Sequence, residues 1–477
     1  MNILKYFAKN GIDTVDQSFY DKINEWAGWY RADLPSFYNY RVYRGRSGAS
    51  VRCRRKSLKM AKTVCEDMAN LLLNERVRYV FEQDADYDFV MQVLRANHFQ
   101  VLGNRYQEWK SALGTVAYVL YLDGIEVDAE GNAIGAGEIK IDYVTAQDIY
   151  PITWENDRIT ECAFTFHKTY KRKHYTHIQL HMLKGGQYVI ENHVVRDSSK
   201  DYGQEVDPAD WEDIPMFASM QPLIETGSDR PQFVIDKLNI ANNADLDGSN
   251  PMGIALFANA LDVIAKIDLE YDSFANEFLL GRKRIFVAPE LLTNVNGNPA
   301  FDPDDSVFYE LPEDYFKDTH EAMREVDMKL RVSEHRDAIN DDLNHLSTKC
   351  GFGQNRYRYD TSNANALKTA TEVVSENSEL YRNLAKHELV LEGVLQDLCA
   401  GILRLGVAMG VSGLDPDDIV RVEFDDSIIQ DKVSEREQDR ADVAMGAMGL
   451  AEYRAKHYGE SEEIAQTRIP EQTGVMA

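Results

Sequence analysis

The stretch NNADLDGSNPMGIALFANALDVIAKIDLEYDSFANEFLLGRKRIFV, residues 242–287, decides how the chain is read. From about Met252 to Leu280, the residues Ile254, Phe257, Leu261, Ile264, Ile267, Tyr271, Phe274 and Phe278 recur at threes and fours. That spacing lays one continuous apolar face along a helix about 42 Å long. Gly281 ends it, and Arg282, Lys283 and Arg284 follow, cations suited to the negative helix C-terminus. RIFVAPELL and SVFYELP then read as strands around turns at Asn296-Gly297 and Asn298-Pro299. The chain is expected to turn helical again from about Glu313 to Leu343, with Phe316, Met323, Val326 and Leu330 on one face. Two long helices thus flank a small β unit that can project as a separate tip.

Downstream, NHLSTKCGFGQNRYRYDTSNANA (344–366) reads as a long loop with two glycines, Lys349, Arg356, Arg358, Tyr357 and Tyr359. Loops of that length are usually functional or mobile. A long helix is expected from Leu367 to about Leu405. Asp415-Pro416 reads as an N-cap with Pro in the first turn, ahead of a short strand IVRVEFDDS and a charged helical tail.

Upstream, Trp26, Trp29 and Tyr30 share one helical face and read as a packing anchor. RVYRGRSGASVRCRRKSLKMAK (41–62) holds nine Lys or Arg and no acid, with a loop at Gly45 and Gly48 and a helix from Ser57. Such a patch suits nucleic acid or an acidic neighbouring subunit. From about 115 to 195 the period changes to two, and VAYVLYLDG, EIKIDYVTAQDIYPI, RITECAFTFHKTY, HYTHIQLHML and QYVIENHVV read as strands. His167, His174, His177 and His181 cluster there. His177 and His181 would lie about 13 Å apart along a strand, too far for two ligands of one metal. NADLDGSN (243–250) begins like a calcium loop, but its twelfth position is Ile254 rather than Glu, so a turn is the better reading.

At 477 residues the chain is long for one core, and a length prior gives roughly three units. The net charge of −27 is unlike a tight grip on nucleic-acid phosphates: the chain either avoids nucleic acid or meets it at a few local basic positions, and solubility alone is an equally good reading of the acidity. Five scattered cysteines without a CxxC pair suit a reducing compartment. No stretch reads as a signal peptide or membrane span, so a soluble protein made in a cytoplasm is expected. No GxxxxGK[ST], GxSxG, HExxH or CxxC occurs. The doublets Asp304-Asp305, Asp341-Asp342, Asp417-Asp418 and Asp425-Asp426 each sit in a turn or helix start, where Asp is locally favoured, rather than reading as a two-metal site. No catalytic residue, metal ligand or cofactor is expected.

The 242–287 stretch resembles the stem-entry segment of tailed-bacteriophage portal proteins of the siphophage type, with its Pro-x-Gly turn, Ile-Asp-x-x-Tyr-Asp run and basic-flanked strand. KTATEVVSENSELYRNLAKHE (368–388), FDDSIIQDKVSEREQD (424–439), WAGWY (26–30) and KSLKMAKTVCEDMANLLLNE (56–75) resemble further segments of that family, in the same order. The resemblance implies an α+β portal fold: a mixed α/β wing over 1–250, a stem helix over 251–281, a small β clip over 282–312 and a second stem helix over 313–343. A channel loop over 344–366, a long kinked wing helix over 367–405 and a mainly helical crown and C-terminal segment over 406–477 complete it. It implies a non-enzymatic subunit of a head-to-tail connector ring of about twelve copies at one capsid vertex of the virion, assembled in the host cytoplasm. Double-stranded DNA would pass through it, weakly and non-specifically held. The terminase large subunit, a head-tail adaptor, the major capsid protein and a scaffolding protein would be its other partners, with no membrane. The expected DNA-channel residues are Lys349, Gln354, Asn355, Arg356, Tyr357 and Arg358. Arg282, Lys283 and Arg284 would dock partners at the clip, and Arg52, Arg54 and Arg55 would meet a neighbouring subunit. The alternatives are a DNA-processing enzyme of a mobile element, which would need a metal or nucleotide site, and a minor capsid or adaptor protein, for which the chain is long.

Overall fold

The computed structural model describes residues 2–44, 49–74, 77–124, 126–127, 133–134, 137–198, 202–245, 249–280, 284–287, 308–310, 323–326, 329–359, 370–424, 432–458 and 462–469. It is a mixed helix and sheet protein. Helices α1 (Ile3–Lys9), α2 (Gln17–Arg31) and α3 (Pro35–Tyr38) lead into the hairpin β1 (Asn39–Arg44) and β2 (Ala49–Arg54). The basic segment runs as two paired strands on either side of Gly45–Gly48, which lie outside the described residues, and the helix after it, α4 (Met60–Leu72), starts three residues later than Ser57. Strand β3 (Arg78–Val80) and helices α5 (Asp84–Ala96) and α6 (Phe99–Leu113) follow.

The period-two region is strand-rich as read, except that EIKIDYVTAQDIYPI is two strands in different sheets, broken by a 3-10 turn at Ala146–Asp148. It contains β4 (Thr115–Asp123), the short pair β5 (Glu126–Val127) and β6 (Ala133–Ile134), β7 (Glu138–Thr145), β8 (Ile149–Glu155), β9 (Arg158–Tyr170), β10 (Lys173–Lys184) and β11 (Gln187–Arg196). With β12 (Gln204–Glu205) and β13 (Leu223–Glu225), strands β8 to β11 make an antiparallel sheet ordered β12-β11-β10-β9-β8, with β13 also on β11. A second sheet, β14 (Phe233–Lys237) beside β4 beside β7, lies at the centre of the molecule. It rests on α6 through a closed polar network. Lys110 Nζ donates to Asp236 Oδ1 at 2.9 Å, and Gln107 Nε2 donates to Asp236 Oδ2 at 2.6 Å and to the Tyr118 hydroxyl at 3.0 Å. All four side chains are buried, so each charge is tolerated only because the other is present.

The 242–287 stretch is the first place where tertiary structure overrides periodicity. Helix α7 runs over Leu261–Leu280, preceded by a short 3-10 turn at Ala258–Ala260. Residues 252–257 are buried but not helical. Their backbone is claimed by neighbours: Gly253 N–H donates to Thr115 Oγ1 at 2.9 Å and Leu256 N–H to the Ser111 carbonyl at 2.8 Å. Gly253 also abuts the left-handed Gly114 that ends α6, so closely that a Cβ on either would fall 2.3 Å from the other's carbonyl oxygen. The Pro-x-Gly turn is a site of backbone-to-backbone contact, which only glycine permits.

The second long helix differs as well. Strands β15 (Arg284–Val287), β16 (Phe308–Glu310) and β17 (Met323–Val326) form a three-stranded sheet, and helix α8 begins only at Val332 and runs to Lys349. In the stretch expected as helix over 313–343, residues 313–322 lie outside the described residues, and 323–326 is a strand paired antiparallel with β15. Met323 and Val326, three apart, fit either element, and the ladder with β15 decides. The long helix α9 (Ala370–Ala408) closes the core with Leu384, Leu391, Leu395, Leu398 and Ile402. Residues 415–418 form an Asx turn, with Asp417 N–H donating to Asp415 Oδ1 at 3.0 Å, rather than the expected helix start. Strand β18 (Arg421–Glu423) pairs with β3, and α10 (Lys432–Met445), α11 (Leu450–Tyr458) and α12 (Glu462–Thr467) finish the chain. None of the described helices is long and apolar enough to cross a membrane.

Helix α7 is tied to the N-terminal segment by two acids on one of its faces. Asp268, fully buried, accepts from the Tyr38 hydroxyl at 2.6 Å and from Leu58 N–H at 2.9 Å. Asp272 accepts from Lys56 N–H at 3.1 Å and Asn276 Nδ2 at 3.2 Å, with Tyr40 at 3.4 Å. Replacing Asp268 by Ala leaves two buried donors unmet, and a loss of about 2–4 kcal/mol is expected from chemical denaturation. Asp268→Ala as stable as the wild type would remove this pair as the anchor.

His181 sits between Phe164 and Phe233, edge to face with both, and neither ring nitrogen finds a partner within the protein. Burial pushes its pKa down to about 3, as it does for His387 on α9. Both folded values lie below the unfolded one of about 6.5, so this stability is complete above that pH and drains away as pH falls toward 3. His181→Phe keeps the ring and removes the orphaned nitrogens. It is expected to raise the melting temperature, and to raise it more at pH 5 than at pH 7; an unchanged pH dependence would contradict the assignment.

Candidate functional site

Helices α7 and α8 lie antiparallel, joined by three ionic rungs. Lys349 Nζ donates to the Asn259 carbonyl at 3.0 Å and lies 3.4 Å from Asp262. Lys266 Nζ donates to Asp342 Oδ1 at 2.9 Å, with Glu270 at 3.8 Å. Glu277 accepts from Arg331 through its backbone N–H and its guanidinium, at 3.0–3.2 Å, and from the His335 ring. The apolar face of α7, by contrast, turns Val263, Ile264 and Ile267 into the core. The rungs carry opposite electrostatic signatures. Arg331 and then His335 hold the Glu277 carboxyl down at about 2. Burial, then the adjacent Asp342, raises Glu270.

Residues 350–359, the described part of the loop after α8, are folded back rather than loose; 360–366 lie outside the described residues. Lys349, expected in the loop, is the last helical residue. Gly351 and Gly353 take left-handed backbone, and a Cβ at Gly351 would fall 2.1 Å from the Asn383 amide nitrogen. Ser347 Oγ donates to the Gly353 carbonyl at 2.6 Å, Asn355 N–H to Asn344 Oδ1 at 2.7 Å and Tyr359 N–H to Asn340 Oδ1 at 2.7 Å. Arg356 grips Asp67 of α4 with two bonds, Nε to Oδ2 at 2.9 Å and Nη2 to Oδ1 at 2.6 Å. The Tyr357 hydroxyl donates to the same carboxylate at 3.0 Å, and burial is the main cause that raises its pKa. Gln354, Asn355 and Arg358 remain exposed, with Arg358 Nη2 donating to Asn355 Oδ1 at 3.1 Å.

The three arginines expected to meet a neighbouring subunit separate. Arg54 pairs with Asp33 at 3.2 Å and donates to the Ala32 carbonyl at 3.1 Å. Arg55 donates to the Phe37 carbonyl at 2.8 Å and lies over the Phe37 ring. Arg52 is exposed, opposite Arg41 on the hairpin. Of the expected docking cations, Arg282 and Lys283 lie outside the described residues, and Arg284 opens β15.

The histidine strands are internally satisfied except at His181. His167 lies 3.0 Å from Asp148, His174 Nδ1 is 3.0 Å from Thr169 Oγ1, and His177 Nε2 is 2.8 Å from Asn192 Oδ1. Among the described residues no group of three or more His, Cys, Asp or Glu is placed to hold a metal ion. A cleft of about 650 Å³ between β9, β14 and α9 is lined by Arg158, Arg230 and Arg404 together with Asp157, Asp397 and Asp417, so its charges balance. The residues that organise the site and were not singled out from sequence are Asp67, Asp268, Asp272 and Glu277. Only the Asp268–Asp272 pair carried a signal, its i, i+4 spacing within the Ile-Asp-x-x-Tyr-Asp run.

A family model described as "Phage portal protein, SPP1 Gp6-like" matches residues 11–457. No curated protein matches the chain. Among solved structures, a chain from the virion of a native gene transfer agent particle matches over 83% of this chain and 87% of that one, at 11% identity and a TM-score of 0.34.

The Asp67–Arg356 pair makes the loop's position depend on α4. A double-mutant cycle of Asp67→Ala and Arg356→Ala is expected to give a coupling of roughly 1 kcal/mol, the scale of a partly exposed bidentate pair. Each single variant is expected to speed proteolysis within 350–359. Additive effects with an unchanged cleavage rate would mean that the pair holds nothing.

Proposed function

The chain belongs to the SPP1 Gp6-like phage portal family, and from that premise we propose that it forms a ring at one vertex of a viral head and conducts double-stranded DNA. The membership makes it a structural portal subunit of a virion. The finer roles are our reading. The single observation that carries them is the antiparallel α7–α8 pair with a small sheet, β15–β17, between its two helices. In this reading α7 and α8 are the stem, and β15–β17 the clip that meets terminase and adaptor. The elements before residue 250 together with α9 form the wing, and α10–α12 the crown.

Charge supports a loose conduit. A ring of about twelve chains of net charge −27 would carry roughly 300 negative formal charges. Each phosphate neutralised by a cation adds salt-sensitive affinity, so a channel poor in free cations lets a duplex slide. Lys349 and Arg356 are already engaged with Asp262 and Asp67. The exposed Arg358, Gln354 and Asn355 are the loop groups that would touch the DNA backbone without reading sequence.

Electron microscopy of the purified chain tests this. Rings with a central hole wide enough for a duplex are expected, formed either by the chain alone or with scaffold and capsid protein present. A chain that stays monomeric in both conditions would overturn the reading and favour the DNA-processing alternative.

A further inference from the structure

A closed ring is built head to tail, so each copy must carry two different surfaces that fit each other. Helix α7 has such a pair on its two flanks. On one flank stands the β1–β2 hairpin, whose base is tied to Asp268 and Asp272 through Tyr38, Tyr40 and Lys56. On it Arg41 and Arg52 face each other directly across the strands. Both are exposed, and neither has a carboxylate or other polar partner among the described residues. Like charges directly opposed in a ladder repel. The same chain supplies acids to Arg54 and Arg356, so the missing counter-charge at this pair is local rather than general.

On the other flank lies α8. Its Ile339, Leu343 and Leu346 face the core. Glu334, Asp337 and Asp341, spaced i, i+3, i+7, are exposed on the side turned away from it. Among the described residues neither Glu334 nor Asp341 has a lysine or arginine within 4 Å, and Asp337 has only Arg336 at 4.0 Å. The rungs set the height of this stripe. Glu277 meets Arg331 and His335, and Lys266 meets Asp342, so the stripe runs beside residues 270–277 of α7. The hairpin base is fastened at Asp272, the same height. At 100° per residue, Asp268 and Asp272 lie about 140° around α7 from the rung residues. The hairpin and α8 are therefore fastened to α7 at one level and on well-separated sides, the placement that neighbours in a ring require.

We propose that Arg41 and Arg52 of one copy dock on the Glu334–Asp337–Asp341 stripe of the next copy. This rests on the ring reading above and names the surfaces that close it. Opposite charges at such a rim would set register and speed of assembly more than final strength, and salt would weaken them.

Charge reversal tests the pairing in the full chain. Arg41→Glu with Arg52→Glu, and separately Asp337→Lys with Asp341→Lys, are each expected to cut the ring fraction at least tenfold by sedimentation velocity and electron microscopy. Circular dichroism and melting would show both variants folded. All four substitutions in one chain restore the complementarity, and rings are expected to return. Rings that persist in either reversed pair, or fail to return in the combined variant although it folds, overturn the inference while leaving the ring reading intact. If Arg41→Glu with Arg52→Glu leaves rings whole but weakens retention of a DNA duplex in a mobility-shift assay, the arginines face nucleic acid and the proposal is wrong. A wild-type chain that never forms rings removes the ring reading itself.

Discussion

The carboxylates of Asp268 and Asp272 are the joint on which the architecture turns. A buried acid is tolerated only when donors surround it, and the structure surrounds Asp268 with the Tyr38 hydroxyl and the Leu58 N–H. Burial raises its pKa, while Tyr38, Ser57 and Leu58 act in the opposite sense. Those bonds fix where the hairpin ends and where α4 begins. Helix α4 in turn carries Asp67, which holds Arg356 and Tyr357. The position of the loop after α8 therefore traces back, through α4, to two acids in the middle of α7.

The second constraint is that α7 has one apolar face and two claims on it. The core takes that face, through Val263, Ile264 and Ile267. Helix α8 is left with the polar side and meets it through Asp262–Lys349, Lys266–Asp342 and Glu277–Arg331. A seam of partly exposed ion pairs is weaker and more salt-sensitive than an apolar one. That leaves the relative position of the two helices open to adjustment by what packs on their outside. The small-residue contact of Gly114 with Gly253 supplies the opposite quality where α7 leaves the core, a backbone junction with no room to move.

Length, composition and pattern made much of this legible. The period-two strands between 115 and 195 emerge near their expected places; β11 alternates buried with more exposed positions, while β4 is buried on both faces over most of its length. The apolar threes and fours of α7 and α9 are likewise local information, since a helix face is written every 3.6 residues. The family could be read from ordered motifs because the Pro-x-Gly turn and the Ile-Asp-x-x-Tyr-Asp run each answer a physical need, close backbone contact and a buried hydrogen-bonded anchor.

What the tertiary structure alone decided is where those patterns stop and which charges are spoken for. The helix expected at 252 begins at 261 because Thr115 and Ser111 accept the backbone N–H groups of Gly253 and Leu256. Within the stretch expected as helix, Met323–Val326 is a strand because β15 offers it a ladder, and α8 runs from Val332. Arg356 is a latch and Arg54 a tether because Asp67 and Asp33 come within reach, Asp67 from 289 residues away in sequence. Periodicity is a property of neighbours along the chain, so the sequence by itself determined the elements and the family. Hydrogen-bond partners are neighbours in space, so only the folded chain could assign the ends of the helices and leave Arg41, Arg52 and Arg358 exposed and without a carboxylate partner among the described residues.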